Sequence, residues 1–262
     1  MNLFKNCKRH HDISQGWETL RIGTLYGYRK AEDPDIRDEG EGSYFFEVSL
    51  NESTKFSRKN ANLIFPFMSF GETYDHSIRD AYNAHATGLR IRTGEAGDDQ
   101  VTLDIKSLKL KRHSPDQFVF CMSHGDGNPP TISSAYDSHW SITEKNAPAF
   151  AEGMSNAIIE SLIADPTQVT GLDKDNIKNL KIVSNHSKVI YIPREFNTAD
   201  LKDHNLNDIM ERIINMPFIK PPKYSPEEEY RFSFEITDGE RFYPPSSDNI
   251  KIRSSFSHEL LR

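Results

Sequence analysis

The sequence predicts an α+β fold in a single domain, residues 1–262, with a mixed or antiparallel sheet at its core and helices at the periphery. Three observations carry the prediction. Short aromatic-rich runs bounded by turn residues recur from Thr24 to Ile236. Helix-period apolar stripes are few, and they do not alternate regularly with the strands as βαβ units would. No Pro- or Gly-rich stretch is long enough to be an interdomain linker.

Taken in order, the N-terminal LFKNC reads as a short strand. Ser14 to Ile22 reads as a helix, with Trp17, Leu20 and Arg21 at helical spacing and Gly23 as its stop. Thr24 to Arg29 and Ser43 to Leu50 read as strands. Tyr74 to Ala86 fits either element. Leu89 to Thr93, Val101 to Ile105, Phe118 to Met122 and Lys188 to Ile192 read as further strands, with a Trp140 strand after the third. Ala147 to Ile163 places Phe150, Ala151, Met154, Ala157, Ile158 and Leu162 on one helical stripe. Leu206 to Met216 does the same with Ile209, Met210, Ile213 and Ile214. The clearest strand is Glu229 to Ile236. There Tyr230, Phe232, Phe234 and Ile236 share one face, and Glu229, Arg231, Ser233 and Glu235 share the other.

Composition excludes several classes. The chain carries 16 Phe, 10 Tyr and 2 Trp, too many aromatics for a disordered chain. No run approaches a membrane span, and the N-terminus lacks a signal-peptide core, so a cytoplasmic protein with no membrane partner is expected. Two cysteines, Cys7 and Cys121, make no disulfide framework. A net charge of −7 argues against indiscriminate nucleic-acid coating but permits a local basic site. Dinucleotide-fold, P-loop and common zinc motifs are absent, and no metal is expected. His10, His11 and Asp12 lack a matching ligand pair. Cys121 near His124 sits in the apolar run FVFCM, where an inert buried thiol is the ordinary outcome.

Four segments could carry chemistry. In TLYGYR, a strand would put Tyr26 and Tyr28 on one face, with Gly27 leaving room for a flat ligand; two core tyrosines are the alternative. In KYSPEEEYRFSFE, extended backbone would set Glu227 and Glu229 on one face with Arg231. Paired carboxylates beside an arginine suit work at an anomeric carbon, and a charged edge strand is the alternative. A third segment, from Phe118 to Thr143, brings Ser123, His124, Asp126, Tyr136, His139 and Trp140 near one loop. A fourth, KSLKLKRH, offers Lys106, Lys109, Lys111 and Arg112 to phosphates, or simply to solvent.

Together, the lysine-bearing first strand, the tyrosine strand with its acidic loop, the strand ending in C-x-S, the tryptophan strand and K-x-Y-x-x-E-x-E-Y-R resemble a bacterial domain family. Its members begin L-Y-K-Y and end near E-x-E-W-R. That family looks like a branch of the ADP-ribosyltransferase fold, and several relatives are toxins of phage-defence toxin–antitoxin modules. The resemblance spans about Leu3 to Phe234. It implies an enzyme that cleaves NAD, without a metal, and passes ADP-ribose to a nucleic-acid base, with RNA as the acceptor. It also implies a neutralising antitoxin and a chaperone as partners. By the same resemblance Glu229 is the catalytic carboxylate and Tyr28 the aromatic of the site. Lys5, Asn6, Tyr26, Arg29, Glu227 and Arg231 would then hold NAD. The family pattern has His or Arg on the first strand, where this chain has Lys5 or Asn6. A non-catalytic partner-binding protein on the same fold and an NAD glycohydrolase are the alternatives.

Overall fold

A computed structural model describes residues 1–16, 18–31, 37–48, 54–65, 81–93, 99–125, 136–173, 175–197, 211–254 and 260–261. In chain order they form β1 (Asn2–Cys7), β2 (Thr19–Thr24), β3 (Ser43–Val48), β4 (Thr54–Ser57), α1 (Arg58–Ile64), β5 (Ala81–Thr93), β6 (Gln100–His113), β7 (Phe118–Gly125), β8 (Ser138–Thr143) and α2 (Ala147–Ala164). Then follow β9 (Lys181–Lys188), β10 (Ile190–Tyr191), β11 (Glu195–Asn197), β12 (Ile219–Lys220), β13 (Glu229–Thr237) and β14 (Asn249–Arg253). The class is α+β, and the pairings of the two large sheets are antiparallel except β11 beside β3.

The chain divides into two compact units. The first comprises Met1–Glu41, Asp116–Tyr191 and Lys220–Arg262; the second comprises Gly42–Pro115 and Ile192–Ile219.

The first unit is organised by β7, whose near-continuous apolar run suits a strand with neighbours on both sides. One edge of β7 pairs with β13, from Glu229 opposite Ser123 to Phe234 opposite Phe118. The other edge forks. Gly23 and Thr24 of β2 lie opposite Val119 and Phe118. Asn2, Leu3 and Phe4 of β1 lie opposite Gly125, His124 and Ser123. Residues 120–122 face neither strand. Beyond these, β14 extends β2, β8 extends β1 and β9 extends β13.

Alternation along β13 then decides what each face meets. Tyr230, Phe232, Phe234 and Ile236 enter the core with Phe118, Phe120, Met122, Trp140 and the apolar stripe of α2. Phe150 of α2 meets Phe232 edge-on at 5.5 Å, and Phe120 stacks on Trp140 at 6.1 Å. Glu229, Arg231 and Ser233 point the other way and are buried as well. Because β13 has strands on both sides, the edge-strand reading of its charges does not apply.

In the second unit the β5–β6 hairpin is the frame, and β3 and β4 share the other edge of β6. Tyr44, Phe56, Phe65, Val101, Leu103 and Leu110 are buried. The Ser57 hydroxyl accepts the Asn60 N–H and caps α1.

Several expected elements differ. The helix expected over Ser14 to Ile22 is a short 3-10 turn, Ile13–Gln15, followed by β2. Leu20 and Ile22 are buried between exposed Thr19 and Arg21, a period of two rather than 3.6. The strand expected over Thr24 to Arg29 ends at Thr24, and Gly27–Lys30 forms a 3-10 turn. Lys188 closes β9, Val189 donates sideways to the Glu229 carbonyl, and β10 restarts at Ile190. Ala147 to Ile163 is helical as expected, ending one residue later. Trp17, residues 74–80, residues 206–210 and Asp126 lie outside the described residues, while residues 211–214 are helical as expected. Among the described residues no helix is long and apolar enough to cross a membrane.

Phe232 sits where sheet and helix meet, so Phe232→Ala should cost about 3–5 kcal/mol in urea unfolding. Exposed Val183 on β9 should tolerate Ala within about 0.5 kcal/mol.

Candidate functional site

The inward polar face of β13 carries a chain of interlocked charges. Arg231 donates from Nε to Glu229 Oε1 at 2.7 Å. Its Nη1 and Nη2 reach both oxygens of Glu41 at 3.0 and 3.3 Å. Lys220 Nζ donates to Glu229 Oε2 at 2.9 Å and to Glu227 Oε2 at 2.6 Å. Glu41, Glu229, Arg231 and Lys220 are all buried. Glu229 and Glu227 therefore meet, but through Lys220 rather than by strand alternation. Glu227 closes a 3-10 turn, Pro222–Glu227, and Glu228 follows in the left-handed region at φ 42° and ψ 46° before β13 begins. That reversal folds the Glu227 carboxyl back beside Glu229. A non-glycine residue there is strained by about 1–2 kcal/mol.

The charges set one another. Burial opposes ionisation of Glu229, and the adjacent Arg231 and Lys220 overcome it, holding its carboxyl far below the usual carboxylate range. Burial raises Glu227, assisted by Glu229 and opposed by Lys220, to about 7. With Glu227 protonated, two carboxylates, Glu41 and Glu229, face two cations.

Four residues of this unit adjoin the crossings into the other: Glu41, Asp116, Tyr191 and Lys220. Each is bonded at or beside the site. Glu41 holds Arg231 and Lys220 holds both other glutamates. The Tyr191 hydroxyl accepts the Glu229 N–H at 2.7 Å, and Asp116 accepts the Tyr26 N–H at 2.8 Å.

The fork opens onto this chain. Where β7 faces neither β1 nor β2, Lys5 Nζ donates to the Cys121 carbonyl at 2.8 Å and lies 4.6 Å from the Phe120 ring centre. A small cavity of about 60 Å³ is lined by Lys5, Tyr28, Ser123, Glu227, Glu229 and Arg231, among others. Two buried polar atoms at this cavity, Ser123 Oγ and Glu227 Oε1, have no hydrogen-bond partner among the described residues. A cleft of about 920 Å³ adjoins it, and Lys5, Asn6, Tyr28 and Tyr136 line both. This volume lies within the range of small-molecule sites.

Among the expected site residues, Glu229, Glu227, Arg231, Lys5, Asn6 and Tyr28 all come together. Tyr28 does so from a 3-10 turn, its ring packed where a Gly23 side chain would sit. Its hydroxyl is held well above its ordinary value by burial and by Cys121. Gly27 serves a close backbone approach, not a ligand: a Cβ there would lie 2.9 Å from the Asp248 carbonyl. Tyr26 lines neither cavity, and its ring lies 3.7 Å beneath the Arg29 guanidinium, whose Nε donates to the Glu41 carbonyl. Cys121 is an inert thiol, pushed up to about 12 by burial and by Glu229, and His124 instead pairs with Glu144 at 3.0 Å. Trp140 is core. Asp12 is buried and bonded to Ser14, Gln15 and Ser138, and no metal-binding group is found among the described residues.

The basic run does not form one patch. Arg112 is buried on the face of β6 opposite Lys109 and Lys111, which are exposed; the Lys106 side chain lies outside the described residues. Lys220, Glu41 and Ser123 were not singled out as partners of Glu229 by sequence reasoning. Lys220 precedes two prolines, and Glu41 sits in an acidic loop like any surface carboxylate. Ser123 was visible in the C-x-S strand end and in the polar loop segment after Phe118, but not as a neighbour of Glu229. Comparison with known proteins adds no relative: no protein-family model matches the chain, and neither a curated protein nor a solved structure is detectably similar.

Two pH effects of opposite sign follow. The folded state depresses Glu229, so its stabilisation is present above about pH 4.5 and is lost as pH falls toward its folded value. The folded state raises Glu227, so stability falls as pH rises from about 4.5 to 7. Relative to the parent, Glu229→Gln should be most destabilised near neutrality, and Glu227→Gln should gain relative stability across that same rise; urea unfolding at several pH values checks both. Glu228→Gly should relieve backbone strain and stabilise by up to about 1 kcal/mol, whereas Glu228→Val should destabilise.

Proposed function

We propose that this protein is an NAD-consuming ADP-ribosyltransferase whose working carboxylate is Glu229. One observation carries the reading: Ser123 Oγ and Glu227 Oε1 are buried without a hydrogen-bond partner among the described residues, and both residues line a cavity with Glu229, a carboxylate kept ionised by Arg231 and Lys220. Leaving buried polar groups unsatisfied costs about 1–3 kcal/mol each, which ligand hydroxyls would offset. The ADP-ribosyltransferase fold, the toxin role in phage defence and the antitoxin and chaperone partners rest on the sequence resemblance.

In this mechanism NAD occupies the cleft with its nicotinamide ribose toward the cavity. The C–N bond breaks, nicotinamide leaves with the bonding pair, and positive charge develops at the anomeric carbon. Glu229, fixed by two cations, stabilises that charge without reorganising. Tyr28 packs on the nicotinamide side. A nucleophilic atom of the acceptor base attacks the anomeric carbon, and its proton passes to ionised Glu227. Arg231 is enclosed between Glu229 and Glu41, so its part is to position Glu229 rather than to hold phosphates.

A second reading is favoured by the same bonds. Both Glu229 oxygens are occupied by cations, as in a structural ion pair, and a nucleotide-binding protein without turnover would also fit.

Incubating the purified chain with labelled NAD and total RNA, DNA and protein separates these. Label on nucleic acid supports the transferase, free ADP-ribose alone indicates a glycohydrolase, and retention of intact NAD indicates a binder. Glu229→Gln should lower turnover by on the order of 10²-fold (~3 kcal/mol) with little change in NAD affinity, because the interaction grows in the transition state. Tyr28→Ala should weaken NAD binding; unchanged affinity by calorimetry would remove Tyr28 from the site.

A further inference from the structure

We propose that the rim of the cleft, formed by Lys8, His10, His11, Arg21 and Lys251, docks the phosphate backbone of a single-stranded nucleic acid. As the site of the acceptor, this rests on the transferase reading above; as a binding site, it stands on its own.

Arg21 of β2 and Lys251 of β14 lie directly opposite each other in the antiparallel pair, and both are exposed. Like charges in that position repel and destabilise the sheet. The pair therefore adds positive charge to this surface at some cost to the sheet. The pair is part of a larger cluster. Burial and then the charges of His10, Arg21, Lys8 and Lys251 depress the His11 imidazole, so all four lie within electrostatic reach of it. All five residues line the 920 Å³ cleft. Among the described residues Asp248 is the one carboxylate lining that cleft, and it pairs with Lys30 at 3.2 Å. This concentration of positive charge belongs to a chain whose net charge is −7, so it is local and not a matter of composition.

The chemistry that such a rim recognises is a row of phosphates. The cleft adjoins the cavity that buried Glu229 helps to line. A base stacked in a duplex cannot descend into such a cavity, whereas an unpaired one can. Exposed His10 and His11, their rings 4.2 Å apart, provide surfaces for bases at the rim. Lys109 and Lys111 share one exposed face of β6 in the other unit, and neither lines the cleft.

The test is fluorescence anisotropy with a short labelled single-stranded RNA, without NAD, across a potassium chloride series. The parent should bind, and a labelled duplex should bind more weakly. Arg21→Gln with Lys251→Gln should reduce the log–log salt slope by about 1.4, ~0.7 for each phosphate contact removed. Removing a repelling pair should leave the unfolding temperature unchanged or raise it, so lost binding cannot be blamed on misfolding. Lys109→Gln with Lys111→Gln should retain the parental slope. No binding by the parent, an unchanged slope in the Arg21 and Lys251 variant, or duplex binding as tight as single-strand binding overturns the proposal. Binding of inorganic pyrophosphate but not RNA also overturns it, assigning the rim to a dinucleotide. RNA binding without NAD cleavage leaves the rim standing and sinks the transferase reading; ADP-ribose transfer to an acceptor without RNA binding at the rim does the reverse.

Discussion

Glu41, Arg231, Glu229, Lys220 and Glu227 form an unbroken series of ion pairs in a place with little water. Each charge there is tolerable only because its neighbour is present: breaking one buried pair costs about 3–5 kcal/mol. The rest of the first unit answers to that requirement. The polar side of β13 must be enclosed although its residues are charged, so the strand is interior to the sheet rather than at its edge. The backbone must reverse at Glu228 to bring Glu227 to Lys220, and the strained torsion there is held by the His124 N–H, which donates to the Glu228 carbonyl at 2.7 Å.

The same series explains how one carboxylate stays ionised while its neighbour, two residues away in sequence, is raised to about 7 and exchanges its proton near neutrality. Glu229 touches two cations. Glu227 touches one, and its other oxygen is buried without a partner among the described residues. Two carboxyl groups of the same kind are thus driven apart by position alone, which is how acid and base roles are divided in many active sites. The forked edge of β7 is the second ingredient. It leaves a stretch of strand without a partner, and Lys5 takes the place of a neighbouring strand at the Cys121 carbonyl.

Much of this could be read from residues. EYRFSFEI alternates over eight positions, long enough for the period to be unmistakable, and α2 presents an unbroken apolar stripe over five turns. Shorter signals failed where tertiary contacts override spacing. Ser14 to Ile22 offered three residues at helical spacing, but Leu20 and Ile22 alternate in burial because β14 pairs beside them. The Tyr-Gly-Tyr run suggested a strand, yet the Asp248 carbonyl crowds Gly27 and Tyr28 reaches the cavity from a turn. Glu229 and Arg231 share one face of β13 as the alternation around them predicts, whereas Tyr28 reaches the cavity although the strand expected for it is a turn. Lys220 and Glu41 were not legible, since what distinguishes them is a partner nine or 190 positions away.

The four residues beside the crossings into the second unit give that inserted segment an unusual tether. An insertion is ordinarily free to drift in length and sequence, because its ends are surface turns with nothing attached. Here the attachment residues are the counter-charges and hydrogen-bond partners of the carboxylate site. The second unit consists of two such segments, Gly42–Pro115 and Ile192–Ile219, and each end of both meets one of these residues. Lengthening or shortening the chain at Glu41 or Lys220 would pull a charge away from its partner on β13, and Tyr191 and Asp116 would lose the backbone N–H groups they hold. The boundary of the insert is in this sense a more constrained stretch of sequence than the insert itself.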